Sequence, residues 1–156
     1  MTTWSKLKKK IESLWSPNLD MQIHANYYQK AHAERWWIAL NGEIVWDFPA
    51  PFVGYNRLTP MGARLPMIQH FGSFECQIIK NIVVPFMTTP VDELLIAKFD
   101  HDEWELGDIL RAADRRLGKK RLREWAVTLD PGNPAIKIMN ARFPWKEKSN
   151  GPGQGG

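Results

Sequence analysis

Cysteine is almost absent: Cys76 is the only one in 156 residues. One thiol makes no intramolecular disulfide and no zinc site built from several cysteines. It suits a reducing compartment, and a cytoplasmic setting is expected. No apolar run approaches the roughly 18 residues that mark a membrane-spanning helix, so no span is expected. Lys6, Lys8, Lys9 and Lys10 stand near the N-terminus, but no continuous apolar region follows them, as a secretory signal would require. A Gly-rich phosphate loop, a G-x-S-x-G elbow and a dinucleotide fingerprint are all missing. His24, His32, His70 and His101 form no paired metal motif. These absences leave no positive argument for catalysis, a metal or a cofactor. Cys76 lies between Glu75 and Gln77 with no activating signature, and reads as a buried or lining thiol.

The composition is that of an ordinary globular protein, with 44% apolar and 24% charged residues. A chain of this length buries roughly 68–70% of its unfolded surface, enough for a core without staples. One α+β domain over residues 1–143 is expected, followed by a Gly-rich tail, 144–156, with nothing to bury and therefore disordered. The net charge of +4 is mild. It permits attraction to acidic partners without requiring it. There are eight tryptophans. About five are expected in the core, because the indole combines a large apolar area with one donor.

Residues 4–15 read as an amphipathic helix. Trp4, Leu7, Ile11, Leu14 and Trp15 share one side, the lysines mostly the other, and Pro17 follows. A basic amphipathic helix can lie on a membrane surface; a docking helix with a solvated lysine face is the simpler reading. Residues 19–28 alternate, with Leu19, Met21, Ile23, Ala25 and Tyr27 on one face, as in a half-buried strand. Residues 35–40 and 43–48 flank Asn41-Gly42, the strongest short-range signal for a type I′ hairpin. A three-stranded antiparallel meander near the N-terminus, packed against four or five helices, is the expected architecture.

Residues 49–66 contain four prolines and two glycines, so regular structure is unexpected there. Loops of this length are often functional. Phe52, Tyr55, Arg57 and Arg64 lie in it and are candidate partner-binding residues, since aromatics and arginines dominate interface hot spots. Ser73 is placed to cap a helix to about residue 84, with a strand as the competitor because of its β-branched residues. Thr89-Pro90 is expected to cap and open a short helix. Residues 103–117 form the clearest helical pattern, with Gly118 at a left-handed C-terminal cap. A second helix is expected over 119–127. A last one is capped by Asn133, with Pro134 at its first position and Ile136, Met139 and Phe143 along one side.

Charge reverses within residues 92–123. Asp92, Glu93, Asp100, Asp102, Glu103, Glu105 and Asp108 come first, opposed only by Lys98. Arg111, Arg115, Arg116, Lys119, Lys120, Arg121 and Arg123 come next, opposed only by Asp114 and Glu124. The bases are candidate nucleic-acid contacts, able to neutralise several phosphates. A structural network competes: Asp108 and Arg111 can pair at i,i+3, Asp114 can take a nearby arginine, and the acids can meet the bases in space. Asp100, His101, Asp102 and Glu103 offer a possible acidic site for a hydrolase or a metal. Without the glycine bend of a calcium loop, an acidic lead-in to a helix dipole explains them more simply.

The opening Trp4-Ser5-Lys6-Leu7-Lys8-Lys9, the hairpin around Trp36-Trp37-Ile38 and Asn41-Gly42-Glu43-Ile44, and the run Ala112-Ala113-Asp114-Arg115-Arg116-Leu117-Gly118-Lys119 resemble a family of small uncharacterised bacterial proteins. The resemblance extends over roughly residues 4–143. That family carries no established activity, so the likeness implies no catalytic residue. Small proteins of this kind are often immunity or antitoxin factors. The expected function is therefore non-catalytic binding of another protein, in the toxin-neutralising form where the likeness applies. The alternatives are nucleic-acid binding through 111–123 and hydrolysis near 100–103.

Overall fold

A computed structural model describes residues 4–28, 33–48, 78–100, 102 and 105–144. Helix α1 spans Trp4–Ser13, with Leu7 and Ile11 buried at the spacing that the apolar pattern predicts. Strands β1 (Met21–Tyr28), β2 (Ala33–Leu40) and β3 (Glu43–Phe48) form an antiparallel sheet in the order β1-β2-β3. The β2–β3 turn has Asn41 at φ 52° and Gly42 at φ 83°, both left-handed, as a type I′ turn requires. A bulge between Ile38 and Ala39 sets Ile44 opposite Ala39. One extra residue shifts the alternation of faces, and Ile44 is exposed while Trp46 is buried.

The inner face carries Met21, Ile23, Trp36, Ile38, Leu40 and Trp46, all buried. Trp4 of α1 meets Trp36 edge-on at 4.9 Å. Helix α1 also covers the outer edge of β1. Lys8 Nζ donates to the Ile23 carbonyl, and the Ile23 N–H donates to Glu12 Oε2 at 3.0 Å. At Ile23 the strand-edge groups that would template another chain are thus satisfied internally. Of the eight tryptophans, Trp15, Trp36 and Trp46 are buried and Trp4, Trp37 and Trp125 half-buried; Trp104 and Trp145 lie outside the described residues.

The chain from residue 78 is helical rather than extended. A π-helical turn, Ile79–Val83, runs into α2, Val84–Thr88. Pro85 has no N–H to donate back, and its ring would clash with a carbonyl one turn earlier, so a widened turn ahead of it is the expected accommodation. Ser73 lies outside the described residues. Thr89 does not cap the next element. Its hydroxyl donates back to the Pro85 carbonyl at 2.7 Å, and Pro90 leads only into a 3₁₀ turn, Val91–Glu93.

The helix expected over 103–117 is shorter. Helix α3 is Leu106–Ala113, because Asp114 leaves helical geometry at ψ 117° to bridge Trp15 from the start of the chain. Ser16 N donates to Ala113 O at 2.8 Å and Arg115 N to Leu14 O at 2.7 Å. Gly118 is not a left-handed cap; at φ −86°, ψ 170° it precedes α4, Lys119–Ala126. Helix α5 is Ala135–Arg142. Asn133 Oδ1 accepts the Ala135 N–H at 2.9 Å, the capping role that its sequence position suggests. The buried face of α5 is Ala135, Ile138, Met139 and Arg142, so of the expected Ile136, Met139 and Phe143 only Met139 belongs to it. Helix α5 packs on α3, and one apolar core runs from α1 to α5. Among the described residues no helix is long and apolar enough to cross a membrane.

Candidate functional site

Helix α3 starts on a strained backbone. Glu105 precedes it at φ 64°, ψ 25°, a left-handed conformation that costs a non-glycine residue roughly 1–2 kcal/mol. Asp102 supplies the missing cap from outside: its Oδ2 accepts the Gly107 N–H at 3.0 Å. The approach is close enough that a side chain at position 107 would displace the Asp102 carboxylate. A Cβ on Gly107 would fall 2.4 Å from Asp102 Oδ2. The acidic lead-in thus serves the helix terminus, as its dipole favours. Asp102 Oδ1, however, is shielded from solvent and has no hydrogen-bond partner. Burial is the main reason that the Asp102 pKa is raised, against the lowering effect of the Gly107 N–H.

Arg111 fastens the preceding segment onto α3. Its Nε donates to Leu94 O at 2.7 Å, its Nη2 to Ala97 O, and its Nη1 to Asp108 Oδ1 at 2.7 Å. The guanidinium sits 5.2 Å from the centre of the Phe99 ring. Asp108 Oδ2 accepts from Asn133 Nδ2 at 2.9 Å. The pairing of Asp108 with Arg111 is therefore real, and it removes Arg111 from the basic surface, where only 6% of it is exposed.

The fastened segment and the C-terminal end of α4 enclose an open cleft of about 620 Å³, lined by Leu95, Ile96, Phe99, Asp102, Trp125 and Leu129 among others. Ile96 is 77% exposed, and Val127, between the lining residues Trp125 and Thr128, is 82% exposed. They are the two most exposed of the large apolar side chains described. Burial raises the Glu105 pKa, and the charges of Asp108, Asp130 and Asp102 raise it further.

The remaining bases divide. Asp114, completely buried, holds Arg116: Oδ2 accepts from Nη2 at 2.6 Å and Oδ1 from Nε at 2.9 Å. That hydrogen bonding raises the Arg116 pKa. Arg115, Lys119, Lys120 and Arg121 are exposed and make no ion pair among the described residues. The first turn of α4 carries no acid. Arg123 is half-buried and lines a smaller pocket of about 260 Å³ with Ile136, Met139 and Phe143.

On the outer face of the sheet, four of the described side chains engage one another. Arg35 forms a fork with Asp47 at 3.1 and 3.2 Å and lies 4.5 Å from the Trp37 ring centre. His24 stacks on the same ring at 5.0 Å. Burial, then Lys8, lowers the His24 pKa, against Glu12.

Phe52, Tyr55, Arg57, Arg64, His101 and Glu103 lie outside the described residues. Among those described, no three His, Cys, Asp or Glu side chains are grouped to hold a metal. The cleft is hidden in the sequence because Leu94-Leu95-Ile96-Ala97 reads as one core run, although Leu94 is buried and Ile96 is not.

The comparisons with known proteins reach only the N-terminal part. The SF0329 protein family matches residues 3–60, which take in α1 and the meander but not the 112–119 run. No curated protein and no solved structure matches the chain.

Proposed function

We propose that this is a non-catalytic binding protein whose partner is another protein, in a cytoplasmic setting. The observation that carries the reading is the cleft beside α3, whose lining presents Ile96 to solvent, with Val127 exposed in the turn between the lining residues Trp125 and Thr128. Exposed apolar side chains rimmed by polar groups are characteristic of protein interfaces. Neutralisation of a toxin is the specific form of this role suggested by the family resemblance. Phe52, Tyr55, Arg57 and Arg64 belong to the same reading as further anchors. The test is the double variant Ile96→Ser/Val127→Ser, compared with wild type in a pull-down from the native host. Stability should change by under about 0.5 kcal/mol per site, while partner recovery should fall by about tenfold or more. Unchanged recovery by a folded variant contradicts the proposal.

A second reading, nucleic-acid binding, is favoured by the exposure of Lys119, Lys120 and Arg121 on a helix start without acids, and of Arg115 in the turn before it. It requires duplex or single-strand binding that weakens at least about tenfold between 50 and 200 mM salt. No binding at low salt to either ligand removes it.

A further inference from the structure

The bridge between Trp15 and Asp114 joins two basic segments from distant parts of the chain. Arg115 N donates to Leu14 O at 2.7 Å, so Arg115 lies against the last turn of α1. Lys10 stands one turn, about 6 Å of rise, before Leu14, and bridged backbones run about 5 Å apart. Lys10 and Arg115 are therefore neighbours in space, and α4 begins at Lys119, just beyond Arg115. Lys9, Lys10, Arg115, Lys119, Lys120 and Arg121 are all exposed and make no ion pair among the described residues. Acids do not balance them. Within residues 4–16 and 114–126 the acids are Glu12, Asp114 and Glu124. Lys8 takes Glu12 at 2.7 Å, and Arg116 takes the buried Asp114 at 2.6 Å. Glu124 alone of the three is exposed, and one carboxylate offsets only one of the six cations. The joint is fixed before any partner arrives, because Arg116 holds the Asp114 side chain and Arg142 its carbonyl.

The two segments also define what such a surface fits. None of the large exposed apolar side chains described lies in either of them, whereas protein interfaces carry an apolar centre. Leu7 and Ile11, the apolar face of α1, are buried in the core, so that face is not available to a bilayer. The aromatics of the two segments, Trp4, Trp15 and Trp125, are buried or half-buried, and none offers an exposed platform for stacking unpaired bases. A ridge of point charges remains, which suits a regular array of phosphates.

We propose that α1 and the 115–121 segment form one composite basic ridge that binds the phosphate backbone of a nucleic-acid duplex without reading its sequence. This rests on the nucleic-acid reading, adds the lysines of α1 to its surface and names a duplex as the partner. Contacts of this kind supply affinity through released counterions, and each neutralised phosphate steepens the salt dependence.

The test measures binding of the full chain to a fluorescent duplex of about 20 base pairs by anisotropy, between about 50 and 200 mM salt. Lys9→Gln/Lys10→Gln removes two charges from α1, and Lys119→Gln/Lys120→Gln removes two from α4. Lys98→Gln/Lys137→Gln takes the same charge from exposed lysines outside both segments. Each ridge pair should lower the slope of log affinity against log salt by about two, with the free protein's amide spectrum preserved, while the outside pair leaves it unchanged. Lys9→Arg/Lys10→Arg should keep the wild-type slope, because the charge stays. The duplex should bind at least about tenfold tighter than a single strand or a polyglutamate of equal charge. A wild-type slope in Lys9→Gln/Lys10→Gln, with the α4 pair still lowering it, overturns the composite ridge and leaves the nucleic-acid reading standing. An equal loss in the outside pair, or equal binding of the single strand or the polyglutamate, also overturns the proposal. Absence of duplex binding at about 50 mM salt overturns the ridge, and if the single strand fails to bind as well, the nucleic-acid reading falls with it.

Discussion

The two ends of α3 each withdraw a carboxylate from bulk water, and they treat it in opposite ways. At the C-terminal end Asp114 is completely buried, and each of its oxygens has a donor on Arg116. Its backbone bridges Trp15, and its carbonyl accepts from Arg142 Nη1 at 2.8 Å. At the N-terminal end Asp102 has one oxygen satisfied and one orphaned, beside a left-handed Glu105 and an open cleft. The difference is completeness. A satisfied network joins elements together, whereas strain and an unpaired acceptor gathered at one place are the marks of a site.

The largest effect should come from attacking the satisfied end. Arg142 donates to the carbonyls of Ala112, Asp114 and Leu117 at 2.8–3.0 Å, although burial pulls its pKa down and only the charge of Asp114 opposes this. Arg142→Ala strips three buried acceptors of their donor. A urea melt should show a loss of about 3–5 kcal/mol, the range for breaking a buried charged network. A loss below about 1 kcal/mol would mean that water replaces the guanidinium and that this end is not the joint described.

A smaller effect of a different kind belongs to the other end. Asp102→Asn keeps an oxygen for the Gly107 N–H and removes the charge. The folded pKa of Asp102 is raised, chiefly by burial. Its favourable contribution is therefore complete below the unfolded carboxylate pKa and is lost as pH rises through the higher folded value. The thermal stability of wild type relative to Asp102→Asn should fall as pH rises from below the ordinary aspartate range. A difference that rises over that range would reverse the assignment and make Asp102 a well-solvated cap.

Local chemistry is legible in the sequence, and long-range chemistry is not. Asn41-Gly42 dictates its turn with its own backbone, so the meander can be read directly. Asp108–Arg111 and Asp114–Arg116 are legible as sequence neighbours. The end of α3 is not, because the apolar period continues to Leu117 while Asp114 is drawn out by Trp15, from the opposite end of the chain. Arg142 carries no signal at all: its partners are backbone carbonyls, which every residue has. Ile96 and Val127 are invisible for a related reason. An apolar residue in an apolar run declares its preference for burial, not whether the fold grants it. The charge reversal in 92–123 does mark two fields, but Arg111 belongs to the acidic one.

Native-state amide hydrogen exchange tests the contrast most directly, since every amide involved is hydrogen-bonded. Ser16, Arg115 and Leu117 donate to backbone carbonyls around the Asp114 bridge, and Ala97 and Gly107 donate beside the cleft. Binding surfaces are drawn from the less stable parts of a fold. Ala97 and Gly107 should exchange through local openings that lie on the order of 2 kcal/mol or more below the opening free energy of the bridge amides. Equal protection at both ends would contradict the account, because the cleft would then be as firmly locked as the joint.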